Sequence, residues 1–234
     1  MNWRNRLFTA AVTRLRTSYD WQVTLDRFEP AAVAGELDVV VATVTGAGDF
    51  PAIVPMLTGL LRHVGRPRAI LVVDDGTLDA EQRRVIESID PGVRFHLPTI
   101  DPALPGADVL ARYAAADPMG KKLAMLIELT TIGDAPVLYT DTDIRYLGGS
   151  DSLRELLRRP IDVPRYMQDH STTSLDSRVL PVPDPRVNSG FLLLPSRLEW
   201  GPTMARCADL LDEPEWFTEQ TVAHFAVIDA AGEP

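Results

Sequence analysis

The stretch VLYTDTD at residues 137–143 joins a short apolar run, typical of a buried strand, to the paired carboxylates of Asp141 and Asp143. Side chains of an extended segment alternate between faces, so both carboxylates are expected to point to the same side. In open α/β sheets, ligands bind at the carboxyl ends of strands. Two carboxylates there repel each other unless a cation lies between them, and oxygen ligands suit Mg²⁺ or Mn²⁺. From spacing alone, a solvated acidic pair in a loop is an equal alternative.

The sequence on both sides of this stretch alternates between strand and helix patterns. Residues 39–44, 69–73 and 191–194 are apolar runs of a length typical of buried strands, and 93–97 is a weaker strand candidate. Segments with apolar residues at helical spacing predict helices at 53–63, 79–89, 121–129, 203–211 and 218–227. This alternation predicts an α/β fold with a mostly parallel central sheet and helices on both faces.

Three further local predictions follow from turn and capping residues. A capping box at Ser152 predicts a helix through Arg159, and Thr77 or Asp79 is expected to cap the helix at 79–89. Residues 98–118 hold four prolines and are expected to be irregular, with one helical turn. Residues 160–186 are rich in Pro, Asp and Ser and predict a long surface loop.

The chain organisation is predicted as an N-terminal helical extension at 1–36 and one catalytic domain at 37–234, with C-terminal truncation left open. The extension carries Arg4, Arg6, Arg14 and Arg16 between apolar residues at helical spacing. It is expected to pack on the domain, with weak contact at the inner membrane face as the alternative. No apolar run reaches the ~18 residues that span a bilayer, so a cytoplasmic location is expected.

Charge and cysteine content narrow the range of functions. The 234 residues carry a net charge of −10, which argues against a nucleic-acid partner because no basic stripe offsets it. The single cysteine, Cys207, excludes an internal disulfide. Its apolar neighbours predict a small core residue rather than a nucleophile.

Three other groups of polar residues are candidates for a site. Asn188-Ser189-Gly190 precedes a predicted strand, where Gly190 would permit close approach of a sugar, although a plain turn is the simpler interpretation. Glu219-Gln220 begins the last predicted helix, where acidity also suits the helix dipole. Lys121-Lys122 are the cations nearest in sequence to the aspartate pair, although both also fit a solvated helix start.

Taken in order, these segments resemble the GT-A glycosyltransferases, especially their family 8-like branch. The match covers most of residues 37–228, and its specific parts are the strand with Asp141-Thr142-Asp143 and the run Asn188-Ser189-Gly190-Phe191. The resemblance implies a Rossmann-like nucleotide-diphospho-sugar transferase fold. It also implies transfer of a sugar from a nucleotide donor, UDP-sugar above all, to a hydroxyl of a sugar, lipid or protein, with retention favoured.

The same resemblance implies roles for individual residues. Mn²⁺ or Mg²⁺ would bind Asp141 and Asp143, and Gln220 would lie near the anomeric centre, with Glu219 as the base of an inverting alternative. The remaining implied contacts, to nucleoside, diphosphate and sugar, are Thr43, Thr45, Asp74, Asp75, Lys121, Lys122, Thr142, Asn188, Ser189 and Gly190.

Two departures from the family pattern bear on activity. Glu219-Gln220 is one methylene longer than the usual Asp-Gln pair. The usual third metal ligand from a C-terminal segment has no clear equivalent, because His224 lies in an apolar helix and is interpreted as structural.

Three alternatives stay open. The first is an Asp-x-Asp phosphohydrolase of the haloacid-dehalogenase type, with Asp141 as nucleophile and Asp143 as acid/base. That family places its motif on the first strand and its lysine downstream, unlike this chain. The second is a non-catalytic nucleotide-sugar-binding module, which the missing third ligand favours. The third is a nucleotidyltransferase, although no Gly-rich phosphate loop follows the first strand.

Overall fold

The computed structural model describes residues 21–26, 28, 33–170, 174–179 and 185–234. Most of the predicted N-terminal extension, including Arg4, Arg6, Arg14 and Arg16, lies outside these residues, so its membrane contact stays a prediction. The described part of the extension includes a short helix, α1 (Trp21–Asp26). Among the described residues, no helix is both long and apolar enough to cross a bilayer.

Six strands form one sheet. They are β1 (Glu36–Thr45), β2 (Arg66–Asp74), β3 (Val93–Phe95), β4 (Val137–Thr140), β5 (Arg165–Asp169) and β6 (Arg186–Leu194). Their order across the sheet is β3-β2-β1-β4-β6-β5. The strands β3, β2, β1 and β4 are parallel to one another, and β6 is antiparallel to both β4 and β5. The prediction of a mostly parallel sheet is therefore confirmed.

Helices cover both faces of the sheet. They are α2 (Phe50–His63), α3 (Ala80–Ser88), α4 (Ala107–Ala116), α5 (Pro118–Ile132), α6 (Asp151–Leu157), α7 (Gly201–Asp212) and α8 (Thr218–Asp229). Each face of the sheet has its own hydrophobic core, and β1 contributes to both. Val39 and Val41 pack in the first core with α2 and α3, whereas Ala42 and Val44 pack in the second with α4, α5, α7 and α8. Cys207 is fully buried in the second of these cores, as its apolar neighbours predicted.

The register of β6 brings a mid-strand segment to the ligand-binding edge of the sheet. Thr140, the last residue of β4, pairs with Phe191, and the backbone N–H of Asp141 donates to the carbonyl of Gly190 at 2.8 Å. Because β6 runs antiparallel to β4, its first half lies where β4 ends. Ser189 and Gly190 thus lie inside a strand, rather than in a turn before it, and still reach the carboxyl edge.

Several local predictions were wrong. Residues 107–116 form the regular helix α4, because Leu110 and Tyr113 bury their side chains in the core despite the prolines nearby. The segment predicted as a long loop contains β5 and a 3₁₀ turn (Ser177–Val179).

The expected capping box at Ser152 is also absent. Helix α6 begins at Asp151, and its N-cap residue, Ser150, makes no capping hydrogen bond. The helix is held instead by Arg154, which donates to the carbonyls of His63 and Val64 at the end of α2. In contrast, Asp79 does cap α3 with a complete capping box.

The start of α5 is pressed against α4 at Gly120. A Cβ on this residue would lie 2.4 Å from the carbonyl carbon of Tyr113 and 2.5 Å from the backbone nitrogen of Ala114. Only glycine permits this approach of two backbones. The contact sets the position of Lys121 and Lys122, the next two residues of the helix.

Gly120→Ala should therefore lower the free energy of unfolding by about 1–3 kcal/mol, because the added methyl group overpacks the contact. The matched control is Gly201→Ala in the first turn of α7, where a Cβ would meet nothing within 4 Å. The control should be as stable as the wild type or more so, since alanine favours helix by about 1 kcal/mol over glycine. Urea unfolding measures both, and equal stability of the two variants would contradict the close contact.

Candidate active site

A cavity of about 580 Å³ opens at the carboxyl edge of the sheet. It receives residues from the ends of β1, β2 and β4, from β6, and from the first turns of α5 and α8. The predicted site residues that line it are Thr45, Asp75, Lys122, Asp141, Thr142, Asp143, Ser189, Glu219 and Gln220. Residues separated by almost 180 positions in the chain therefore face one space of the size that small-molecule ligands occupy.

Two predicted residues instead organise the loop after β2. Lys121 donates from Nζ to the backbone carbonyls of Asp74 and Asp75, at 3.1 and 2.7 Å. Asp74 accepts hydrogen bonds from the Gly76 amide and from Arg83, at 2.8 and 2.7 Å. Both residues lie behind the cavity wall, where they hold Asp75 at the rim.

Three further predicted residues lie beside the cavity without lining it. Thr43 is fully buried in β1, and its hydroxyl has no hydrogen-bond partner. Asn188 accepts a hydrogen bond from the backbone of Gly190 at 2.8 Å. A Cβ on Gly190 would lie 2.6 Å from Oδ2 of Asp141, so this glycine makes room for the carboxylate next to it.

A buried lysine is the centre of the site. The side chain of Lys122 is only 2% exposed, and its Nζ lies 3.4 Å from Oε2 of Glu219 and 3.6 Å from Oδ1 of Asp141. The same nitrogen donates to the Ser189 hydroxyl at 3.0 Å and lies 4.4 Å from the centroid of the Tyr139 ring. The interpretation of Lys122 as a solvated helix start is wrong, since a cation buried this deeply requires compensating charge.

Asp141 uses one oxygen within the protein. The Tyr139 hydroxyl donates to its Oδ1 at 2.7 Å, the same oxygen that faces Lys122. Burial, together with the nearby Asp141 charge, raises the pKa of Tyr139 well above its ordinary value, so this phenol stays a hydrogen-bond donor. The side chain of Asp141 is nevertheless 42% exposed, so part of the carboxylate faces the cavity.

Glu219 is the most deeply buried carboxylate on the cavity lining. Its side chain is 4% exposed, and Oε2 accepts from Ser189 at 3.0 Å, whereas the buried Oε1 has no hydrogen-bond partner. Burial, and secondarily the charge of Asp141, raises the pKa of Glu219 above its ordinary value, although Lys122 opposes the shift. Glu219 is thus a carboxyl group that accepts a proton more readily than an exposed glutamate does.

The amide of Gln220 is oriented by hydrogen bonds from two sides. Its Nε2 donates to the carbonyl of Ser174 at 2.7 Å and to Asp169 at 3.3 Å. Its Oε1 accepts from the backbone N–H of Ser189 at 3.4 Å and lies 3.3 Å from the Ser189 hydroxyl oxygen, whose proton goes to the closer Glu219. These contacts turn the oxygen of the amide toward the Lys122 and Ser189 side of the cavity.

The cavity is strongly acidic. Its acidic lining residues are Asp49, Asp75, Asp117, Asp141, Asp143, Glu215 and Glu219. Among the lining residues, all of them in the described part of the chain, Lys122 is the only cation. An anionic ligand such as a diphosphate therefore needs additional positive charge to bind here.

The donor set fits a divalent cation that takes part of its coordination from substrate. Within residues 21–26, 28, 33–170, 174–179 and 185–234, no group of three or more His, Cys, Asp and Glu could hold a metal. His224 is buried, and its Nδ1 accepts from the backbone of Val187 at 3.3 Å, in keeping with a structural role. Asp141 and Asp143 alone suit Mg²⁺-type binding, in which one or two carboxylates are completed by phosphate oxygens and water.

Sequence reasoning missed Tyr139, Tyr113, Asp117 and Trp216, all of which line the cavity. Tyr139 could have been found, because it lies two residues before Asp141 and residues at this spacing in an extended segment share a face. The others come from α4, the start of α5 and the loop before α8, which only the tertiary structure brings to the site.

The sequence matches no protein-family model and no curated protein. The structure is similar to that of the bifunctional glycosyltransferase WbbM, with a TM-score of 0.52 and 14% identity over 83% of this chain and 38% of that one. It is also similar to the apo form of the glycosyltransferase GlyE from Streptococcus pneumoniae TIGR4 (TM-score 0.48, 15% identity, 83% and 44% covered). A third similar structure is that of the 4-diphosphocytidyl-2C-methyl-D-erythritol synthase of Anaerococcus prevotii DSM 20548. Its TM-score is 0.46 and its sequence identity is 12%, over 87% of this chain and 88% of that one.

The similarity to WbbM establishes the class of fold. The six-stranded, mostly parallel sheet with helices on both faces is a GT-A, Rossmann-like fold, as the WbbM similarity shows. The chain spans less than half of the WbbM and GlyE structures. Membership of the family 8-like branch stays a prediction.

Glu219→Gln should gain stability relative to the wild type as the pH rises above 4.5, the ordinary glutamate pKa. Because the pKa is raised in the folded state, the stabilisation from Glu219 is fully present below that pH and is lost as the pH rises through the folded-state pKa. Glutamine does not titrate, so the free-energy difference between the two proteins should change across this window.

Urea unfolding between about pH 4 and pH 8 measures this difference. The control is Glu155→Gln, which replaces an exposed glutamate in α6. A difference for Glu219→Gln that is constant over the whole pH range would show that the carboxyl group has no raised pKa.

Proposed function

We propose that this protein is a glycosyltransferase that moves a sugar from a nucleotide-diphosphate donor to a hydroxyl acceptor. The observation that carries the proposal is the convergence of Asp141, Asp143 and the buried Lys122 on one cavity at the carboxyl edge of a GT-A sheet. At this edge, an α/β sheet offers side chains from several strands to one ligand.

The donor is proposed to lie along the edge from β2 to β4, with UDP-sugar as the first candidate. Thr45, whose buried hydroxyl lacks a partner, and Asp75 at the rim would contact the nucleoside. Asp141 and Asp143, with Thr142 between them, would hold Mn²⁺ or Mg²⁺ beside the diphosphate. When bound, that ion would neutralise charge on the departing diphosphate.

The transfer step is proposed to use the α8 side of the cavity. In a retaining reaction, the departing phosphate takes the proton of the acceptor hydroxyl on the same face of the sugar. The oxygen of Gln220, fixed by its contacts to Ser174 and Ser189, then stabilises positive charge at the anomeric carbon. In the inverting alternative, Glu219 is the general base, and its raised pKa suits that role.

A second candidate function is a non-catalytic nucleotide-sugar-binding module. It is favoured by the lack of a third protein ligand for a metal within the described residues. Binding of UDP and Mn²⁺ with neither transfer nor hydrolysis of any UDP-sugar would favour it. The phosphohydrolase alternative has less support, because the strand before Asp141 is the fourth in the chain and Lys122 precedes it. Trapping of a phosphoryl mimic on Asp141 would revive it.

Mn²⁺ and a nucleotide-sugar together should raise the melting temperature by several degrees, because ligand at about 100 times its Kd adds about 2.7 kcal/mol of stability. Asp143→Asn should lose most of the metal-dependent part of the shift, since it removes a charge and keeps the shape. Thermal denaturation with a panel of nucleotide-sugars, with and without Mn²⁺, measures this.

The matched control is Asp134→Asn, which replaces an aspartate that is 93% exposed and paired with Arg68 outside the cavity. It should keep the full shift. If no nucleotide gives a metal-dependent shift in the wild type, the donor site proposed here does not exist.

The anomeric configuration of the product separates the two mechanisms. We expect retention, with Gln220→Leu slowing turnover about 10²–10³-fold because it removes a preoriented dipole. Glu219→Gln should slow turnover much less. Proton NMR of the anomeric centre and initial rates measure both, and an inverted product with an inactive Glu219→Gln variant would contradict retention.

A further inference from the structure

Trp216 lines the mouth of the cavity with 87% of its surface exposed. Single exposed apolar side chains are common and need no explanation. This one is a tryptophan at the rim of a ligand-sized cavity, flanked on the lining by Pro214 and Phe217. Large aromatic side chains at such positions supply contact area at a low cost in conformational entropy.

The loop that carries Trp216 is held in place on both sides. The backbone N–H of Glu215 donates to the hydroxyl of Thr218 at 2.7 Å, and the Glu215 carboxylate accepts from the Ser177 hydroxyl at 2.9 Å. Thr218 in turn donates to the fully buried Asp176 at 2.7 Å. The indole therefore projects from an anchored backbone rather than from a free loop end.

Trp216 and the residues proposed to contact the nucleoside reach the cavity from different elements. The strand order places Asp75 after β2, then Thr45 on β1, Asp141 after β4 and Ser189 on β6. Helix α8 packs against β6, and Trp216 comes two residues before it. The proposed sugar-transfer residues Glu219 and Gln220 belong to this helix, so Trp216 is much nearer to them in the chain than to the nucleoside contacts.

The charges around Trp216 select its ligand. Beside Trp216 itself the charges are balanced, since Asp212 pairs with Arg112 at 2.6 Å and Glu215 lies 3.9 Å from Arg178. The cavity lining next to it is acidic, with Lys122 as the one cation among the described lining residues, and it disfavours phosphate groups, acidic sugars and anionic lipid headgroups. A neutral sugar ring suits this surface, because its C–H groups can pack on the indole face and its hydroxyls can donate hydrogen bonds to the carboxylates.

We propose that Trp216 is the stacking platform for a neutral saccharide acceptor, whose ring lies on the indole while a hydroxyl enters the cavity. The saccharide is called the acceptor because of the proposed function, and in that respect the inference rests on it. The binding of a neutral saccharide at Trp216 can nevertheless be tested without any donor.

The test uses the full chain and three forms: wild type, Trp216→Phe and Trp216→Ala. Binding is measured by tryptophan fluorescence and saturation-transfer NMR. The ligands added are neutral oligosaccharides of glucose, galactose and mannose, sialylated and uronic-acid oligosaccharides, and phosphatidylcholine/phosphatidylglycerol vesicles. A neutral saccharide should quench the tryptophan fluorescence of the wild type. The Kd of Trp216→Phe for that saccharide, measured by saturation-transfer NMR, should lie within threefold of the wild-type value. Trp216→Ala should bind about tenfold more weakly, as expected for a lost ring contact.

Binding of UDP with Mn²⁺ is measured in parallel and should be unchanged in both variants. Loss of UDP binding in Trp216→Ala would place the ring on the nucleotide and overturn the inference. A response to vesicles or acidic saccharides alone, or to no saccharide, would also overturn it. Neutral-saccharide binding that depends on Trp216 without any UDP binding would support the inference while contradicting the proposed donor function.

Discussion

The site depends on how one buried ammonium group is compensated. Lys122 is almost completely removed from water and has Glu219, Asp141 and the Ser189 hydroxyl as its partners. Removing a charge from water costs several kcal/mol, which only close opposite charge and hydrogen bonds offset. Helix α5, strand β6, the end of β4 and helix α8 must therefore keep their relative positions for the fold to be stable. The same constraint holds the candidate active site together.

This network changes the meaning of the aspartate pair. A divalent ion was the cation expected beside Asp141, but a protein side chain already faces its Oδ1. Asp143, which also lines the cavity, is the more exposed of the two aspartates. The network thus divides the carboxylates into a buried set that positions the site and an exposed set that can bind substrate-associated charge.

The fold and the centre of the site could be predicted from sequence because their signals are local. Buried strands appear in the sequence as apolar runs, and helices appear as apolar residues at helical spacing. Asp141-Thr142-Asp143 directly follows one of these apolar runs. Glu219 and Gln220 could be named as polar residues at a helix start, but their roles came only from the family resemblance. Lys122 could be named too, but its burial could not, because it arises from the close backbone contact at Gly120. The α4 helix and the platform of Trp216 were missed because their positions depend on packing between distant segments.

The departure from the usual Asp-Gln pair has a physical reason in this network. Glu219 reaches from the first turn of α8 to the Ser189 hydroxyl and to Lys122, at 3.0 and 3.4 Å. An aspartate would need the helix to lie about one bond length closer to β6, where Val222 and Ala223 are already fully buried against the core. The extra methylene therefore lets the carboxylate meet the buried lysine without moving the helix. Because the helix stays in place, the adjacent Gln220 keeps its hydrogen bonds to Ser174 and Ser189, which aim its oxygen at the cavity.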